Sequence, residues 1–435
     1  MPSVDSRLQD RYLQLVQENL APLDGAAAGL RALPGVASAF ASTQAAWRFY
    51  KNPRVTLSRL AAPLIDHARR ASADACDDYA LVVHDWSFLH YKTHPSKADR
   101  TALGNSQDLG YELLTALVLG DRDGAPLAPV CQELRAQGGV LTTRAERRRR
   151  AVSQLDALGP VMAHVDGLGL ARPTVHVIDA EADSVAHYRR WHRQGRLFLV
   201  RADDARYVLH QGRECQLSAV ADGLRPQRAF RRARAVEFEG KQAEQWVAEA
   251  EVVLHRPARP QRRGQPRRPI PGVPLALRLV VSEVRRADGV VLARWLLLTN
   301  LPAAVAAERV ALWYYWRWRV ETYFKLLKKA GLHLEQWRQE TAAALVRRLL
   351  VAGMACCVVW HLARSKAPEA ERWRELLVRL SGRQMGWGKA YTEPALLAGL
   401  WMLLAMLELL EQEDLEELRR LGRFARPSAD PPDGS

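Results

Sequence analysis

The sequence predicts an α/β fold, a mixed-sheet core interrupted by an all-β insertion and flanked by helical regions at both ends. Three observations predict it. Two short apolar runs, 79–85 and 174–179, each end on an acid, Asp85 and Asp179, as buried strands with functional tips do. Strand candidates separated by turn chemistry recur through 202–299, with no convincing helix between them. Both ends of the chain carry apolar residues at helical spacing.

Taken in order, residues 1–78 read as a helical, basic, DNA-binding region. Leu8, Tyr12, Leu15, Val16 and Leu20 mark a first helix, and Asn52-Pro53 separates helices at 42–50 and 56–72. Residues 79–201 form the first part of the core. Strands are predicted at 79–85, 111–119 and 125–134, and a long helix over 144–171 opens on the arginines 147–150. The strand at 174–179, a helix from about Asp183 and a strand at 197–201 complete a strand–helix–strand unit. Asp183 is read as the N-cap of that helix. Glu181 and Asp183 compete with Asp179 for an acid role.

The insertion, 202–299, carries predicted strands at 206–210, 215–220, 234–238, 246–255, 275–283 and 295–299. Within it, 255–271 is rich in Pro and Arg and reads as a loop. Arg256, Arg259, Arg262, Arg263, Arg267 and Arg268, with no acid among them, favour phosphate contact. Residues 300–340 return to the core through one helix over 305–330. Residues 341–426 are helical, with Pro394 suited to a first turn, and 427–435 read as a disordered tail.

The chain has 435 residues, with 63 Lys+Arg against 48 Asp+Glu, a formal net charge of +15. Such an excess favours a polyanionic partner, nucleic acid ahead of an acidic membrane. The apolar run at 395–407 is too short to span a bilayer, and no secretory signal is visible. Five cysteines without a CxxC pair argue against a disulfide framework or a zinc site. These features predict a cytoplasmic, nucleoid-associated protein.

The chemistry concentrates in the segment 313–329. At about 100° per residue, Tyr314, Arg317, Glu321, Lys325 and Lys328 share one face. Trp313, Val320, Phe324 and Leu327 share an adjacent apolar one. Two strand-end aspartates and a helical glutamate form a potential three-carboxylate cluster. Such a cluster needs cations to stay ionised. Two divalent ions about 4 Å apart would resolve that conflict and suit displacement at phosphorus.

The segments Val83-His84-Asp85-Trp86 and Val177-Ile178-Asp179-Ala180-Glu181-Ala182-Asp183, with Tyr314-x2-Arg317-x3-Glu321-x6-Lys328, resemble the motifs of bacterial cut-and-paste DDE transposases. The resemblance is to the group typified by transposon five and insertion sequence four, with its Y-R-E-K signature. It extends from about Ala45 to the C-terminal helices. It implies an RNase H-like core and a β insertion between the second Asp and the Glu.

The resemblance also implies roles. Asp85, Asp179 and Glu321 would bind two Mg²⁺ or Mn²⁺ ions. Tyr314, Arg317, Lys325, Lys328 and Arg201 would grip phosphates. Trp295 would stack on a flipped base, and Trp318 is a second aromatic candidate. The implied reaction cuts and rejoins double-stranded DNA at transposon ends through a hairpin and inserts them into target DNA. The C-terminal region, including the stripe 400–410, would form a homodimer. The family's N-terminal end-recognition domain is longer than the segment before Trp47, which implies weaker end binding. A truncated inhibitor of transposition and a stand-alone RNase H-like nuclease are the alternative readings.

Overall fold

Period-two alternation across 80–299 is realised as a single sheet with an apolar core on each face. The structure is a computed structural model that describes residues 6–18, 36–259, 269–386, 388–412 and 414–424. Arg262, Arg263, Trp387 and the 427–435 tail lie outside the described residues.

The strands are β1 (Ala80–His90), β2 (Thr101–Ala102), β3 (Leu109–Gly120), β4 (Pro126–Ala136), β5 (Gly139–Thr142), β6 (Thr174–Ile178), β7 (Leu197–Arg201), β8 (Tyr207–His210), β9 (Arg213–Gln216), β10 (Arg231–Phe238), β11 (Lys241–Leu254), β12 (Leu275–Arg285) and β13 (Val291–Thr299). They run in the order β5-β4-β3-β1-β6-β7-β13-β12-β11-β8-β9, with β2 on β3 and β10 on β11. β6 pairs in parallel with both β1 and β7, and the neighbouring pairs β1–β3 and β7–β13 are antiparallel. The strands of 202–299 therefore continue the core sheet, joined where Leu297 faces Arg201.

The helices are α1 (Ser6–Glu18), α2 (Val36–Lys51), α3 (Leu57–Ala75), α4 (Gln154–Asp166), α5 (Val185–Arg193), α6 (Leu217–Gly223), α7 (Ala307–Trp316), α8 (Arg319–Lys325), α9 (Ala342–Arg364), α10 (Ala370–Ser381), α11 (Glu393–Gln412) and α12 (Leu415–Phe424). Val175, Val177 and Leu199 face one core cluster, with residues of α3, α7 and α9. Ile178, Phe198 and Val200 face the other, with residues of α5 and α6. α9 is long and apolar enough to cross a bilayer, but 78% of its most apolar window is buried within the fold. In α11, Pro394 sits in the first turn, as expected. Gly399 of α11 meets α10 so closely that a Cβ there would lie 1.9 Å from the Leu377 carbonyl oxygen.

Five expectations are corrected. The helix predicted over 144–171 is only α4. Arg149 instead exchanges backbone hydrogen bonds with Val140, extending the sheet edge, and Ser153 caps α4 by accepting the Asp156 N–H at 3.1 Å. The insertion is not all-β. The strand predicted at 215–220 ends at Gln216, and α6 follows because Leu217, Val220 and Ala221 bury one helical face. The single helix over 305–330 is broken. Arg317 N–H bonds to Tyr314 O and Glu321 N–H to Trp318 O, tight i→i−3 bonds that separate α7 from α8. A π-helical turn, Leu326–Ala330, follows α8.

Asp183 is not the N-cap of α5; Ser184 holds that position. Its carboxylate instead takes Arg206 at 2.8 Å and the Tyr188 hydroxyl at 3.0 Å. Finally, Asp85 does not end its strand. β1 runs on to His90 because β3 stays paired with it that far.

Candidate active site

Asp85 and Asp179 are level with one another for a topological reason. The last parallel pair between β1 and β6 is His84 with Ile178. Each acid follows its half of that pair, at the point where β6 leaves the sheet, the usual place for functional groups in open α/β sheets. Each carboxylate is pinned locally. The Trp86 N–H donates to Asp85 Oδ1 at 2.8 Å, and the Ala180 N–H to Asp179 Oδ1 at 2.7 Å.

The break between α7 and α8 places Arg317 over both acids. Its guanidinium reaches Asp85 Oδ2 at 2.8 Å, Asp179 Oδ2 at 3.0 Å and Glu321 Oε1 at 3.2 Å. Only 6% of the Arg317 side chain is exposed. Three carboxylates from two strands and a helix thus converge on one buried cation. Burial pushes the Asp85 carboxyl up to about 6; Arg317 opposes this, while Glu181 and Asp179 add to it. Tyr314, one turn before Arg317, donates its hydroxyl to Asp179 Oδ1 at 3.0 Å. Burial and the Asp179 charge raise the tyrosine's pKa and keep it a neutral donor.

Around this centre the predicted residues divide. Arg201, at the end of β7, pairs with Asp179 Oδ1 at 2.7 Å. Lys328 turns back to the Phe88 carbonyl oxygen of β1 and stands 3.6 Å from Glu335. Trp295 is buried against Tyr314 and Phe238, with ring centroids 6.0 and 6.4 Å away. Trp318 is 49% exposed. Lys325, one turn beyond Glu321 on α8, is exposed and lines a recess with Thr322, Thr392 and Glu393. Trp313, Val320, Phe324 and Leu327 are buried, as their apolar arc predicts.

The chain matches the family described as Transposase DDE domain over residues 140–360. The chain belongs to that family. The matched region holds Asp179 and Glu321, and Asp85 joins them through the β1–β6 pairing. Among solved structures the chain is similar to a piggyBac transposase synaptic complex with hairpin DNA determined by cryo-EM. The match has 10% identity and a TM-score of 0.40, covering 98% of this chain and 78% of that one. A likeness that distant assigns no residue. No curated protein shows significant sequence similarity to the chain.

Several parts of this transposase's site escaped the sequence reading. His84 and His176 lie side by side in the buried sheet, Nε2 to Nδ1 at 2.9 Å, and His176 Nε2 contacts Asp166 Oδ1 at 3.0 Å. Burial and its neighbour His176 hold His84 well below the usual imidazole range. This polar seam ties β1 to β6 directly beneath the acids. Two histidines inside otherwise apolar strands were the available signal. Asp121 gathers the N–H groups of Asp77, Asp78 and Tyr79 and pairs with Arg309 of α7 at 2.6 Å. It thereby locks the entrance of β1 to the helix that carries Tyr314.

By donor chemistry the carboxylates of Asp85, Asp179 and Glu321 suit hard divalent cations. The three carboxylates surround the Arg317 guanidinium and offer only oxygen. Among the described residues, no group of three or more His, Cys, Asp or Glu is positioned to hold a metal ion.

Proposed function

We propose that this chain is a cut-and-paste DNA transposase of the insertion-sequence-four group, with Asp85, Asp179 and Glu321 as its metal-binding acids. The observation that carries the reading is the convergence of those three carboxylates on one buried guanidinium, in a chain of the transposase DDE family. The strand order β3-β1-β6-β7, antiparallel then parallel, supports an RNase H-like core. When bound, two Mg²⁺ or Mn²⁺ ions would supply Lewis acidity at phosphorus and a nucleophile at neutral pH.

The chain's own residues do the rest. Arg317 neutralises the acids in the DNA-free protein and turns to a phosphate when a strand enters, leaving its carboxylates to the metal. Tyr314 and Arg201 hold Asp179 in place from two sides. Lys328 fastens the end of the catalytic helix to β1 and lies beside the path of the strand. Exposed Trp318 offers a stacking face to an extruded base, whereas Trp295 must first part from Tyr314 and Phe238. In the reaction, water frees a 3′-OH at the element's end. That hydroxyl attacks the opposite strand to form a hairpin, a second water opens it, and the 3′-OH attacks target DNA. A homodimer assembled through the C-terminal helices, in a bacterial cytoplasm and on the nucleoid, completes the proposal. The exposed apolar side chains Met406, Leu407 and Leu410 of α11 support that dimer face.

The test is a gel assay of 3′-end nicking on candidate element-end DNA with Mg²⁺. The wild type nicks at the end, and Asp179→Ala or Glu321→Ala lowers the rate by roughly 10³-fold or more. Nicking that survives either substitution overturns the assignment. Nicking without end preference supports a nuclease, and binding without nicking supports an inhibitor.

A further inference from the structure

The exposed face of α8 has a composition the acid site does not explain. Arg319, Thr322 and Lys325 recur at i, i+3 and i+6, so they line one side of the helix. They border two adjoining recesses, of about 510 and 480 Å³, that share Thr322, Thr392, Glu393 and Pro394. Together these form a groove between α8 and the start of α11. Arg364 and Lys389 line one half together with Arg319.

Basic side chains outnumber acids along this groove, Arg319, Lys325, Arg364 and Lys389 against Asp123 and Glu393. Arg319, Lys325 and Lys389 are exposed, and none makes an ion pair with an acid among the described residues. Elsewhere the chain's arginines are commonly matched, as Arg309 is to Asp78 and Asp121 and Arg294 to Asp204 and Asp222. Two acids border the groove. Asp123 accepts the N–H of Ala125, and burial pushes the Glu393 carboxyl up against a Trp360 hydrogen bond and the nearby Arg319 charge. Three exposed cations without an ion pair among the described residues suit a row of phosphates spaced along a duplex, with Thr322 and Thr392 hydroxyls as neutral donors.

We propose that this groove binds the backbone of duplex DNA as it leaves the acid site, through Arg319, Lys325 and Lys389. The proposal rests on the DNA-processing reading and deepens it. Lys325 begins one helical turn after Glu321, so a strand whose phosphate reaches Glu321 continues into the groove.

The experiment is fluorescence anisotropy of a labelled blunt DNA duplex with the full chain, titrated across salt concentrations. The comparison is between wild type and Arg319→Ala/Lys325→Ala/Lys389→Ala. Thermal melts confirm the variant's fold, since all three side chains are exposed. Each phosphate contact contributes about 0.9 to the slope of log K against log salt, so the triple variant should lose about 2 to 3 of that slope. Its affinity at physiological salt should fall about tenfold or more. Slope and affinity equal to wild type overturn the proposal, as does a loss seen only with single-stranded DNA. The two readings fail separately. A wild type that never nicks end DNA but loses duplex binding on triple substitution keeps the groove and removes the transposase chemistry. The reverse pattern keeps the chemistry and removes the groove.

Discussion

Arg317 and Arg319 are two residues apart and live in different electrostatic worlds. Arg317 is buried among three carboxylates, within 2.8 to 3.2 Å of each. Arg319 is exposed, and no acid pairs with it among the described residues. The difference teaches that charge count says little about a basic segment; what matters is which cations the fold has already spoken for. A matched, buried cation holds a site closed and in shape. An unmatched, solvated one is available to a polyanion.

The largest expected effect comes from breaking the matched side. Arg317→Ala leaves three carboxylates facing one another and should destabilise the chain by about 3 kcal/mol in denaturant unfolding. Mn²⁺ should raise the Tm of this variant more than that of wild type, because the vacated position accepts the ion. A loss under about 1 kcal/mol, within the range of ordinary surface pairs, would show that the acids do not depend on Arg317.

A second, smaller effect concerns pH. The Asp85 carboxyl is pushed up to about 6 in the folded chain, above an unfolded value of about 3.9. The folded state therefore holds this proton more tightly. The cost of ionising Asp85 appears as pH rises from about 4 and is complete above about 6. Asp85→Asn never bears that cost. Its stability relative to wild type should improve between pH 4 and pH 7, by up to roughly 3 kcal/mol. A difference that stays flat over that window would mean that Arg317 fully offsets the burial.

The smallest effect lies on the unmatched side. Arg319→Ala should change stability by no more than about 0.5 kcal/mol in the same unfolding assay. A larger loss would mean that Arg319 has a structural partner and would erase the contrast with Arg317.

Much of the fold was legible because strand burial and helical period are local signals. The cores of β1, β3, β6 and β7 and the helices α2, α3 and α11 follow from apolar runs and caps. The long helix at 144–171 failed because Arg149 belongs to the sheet edge through Val140, a partner that periodicity does not reveal. The helix over 305–330 failed at Arg317-Trp318 for a related reason. Ideal spacing put Tyr314, Arg317, Glu321, Lys325 and Lys328 on one face. The break separates α7 from α8; Arg317 and Glu321 still meet across it, while Lys325, one turn beyond Glu321 on α8, lines the groove.

By itself, the sequence determined which residues carry charge, which strands end near an acid and which helical faces are apolar. It also held the motifs that resemble the DDE transposases. Only the tertiary structure decided that Asp85 meets Asp179, because that depends on where the parallel pairing of β1 and β6 stops. It alone decided that Arg317 is consumed by the acids while, among the described residues, Arg319, Lys325 and Lys389 make no ion pair. The physical reason is that ion pairing acts over a few ångströms in space. Sequence spacing fixes those distances only within one unbroken helix, and this helix is broken at Arg317-Trp318.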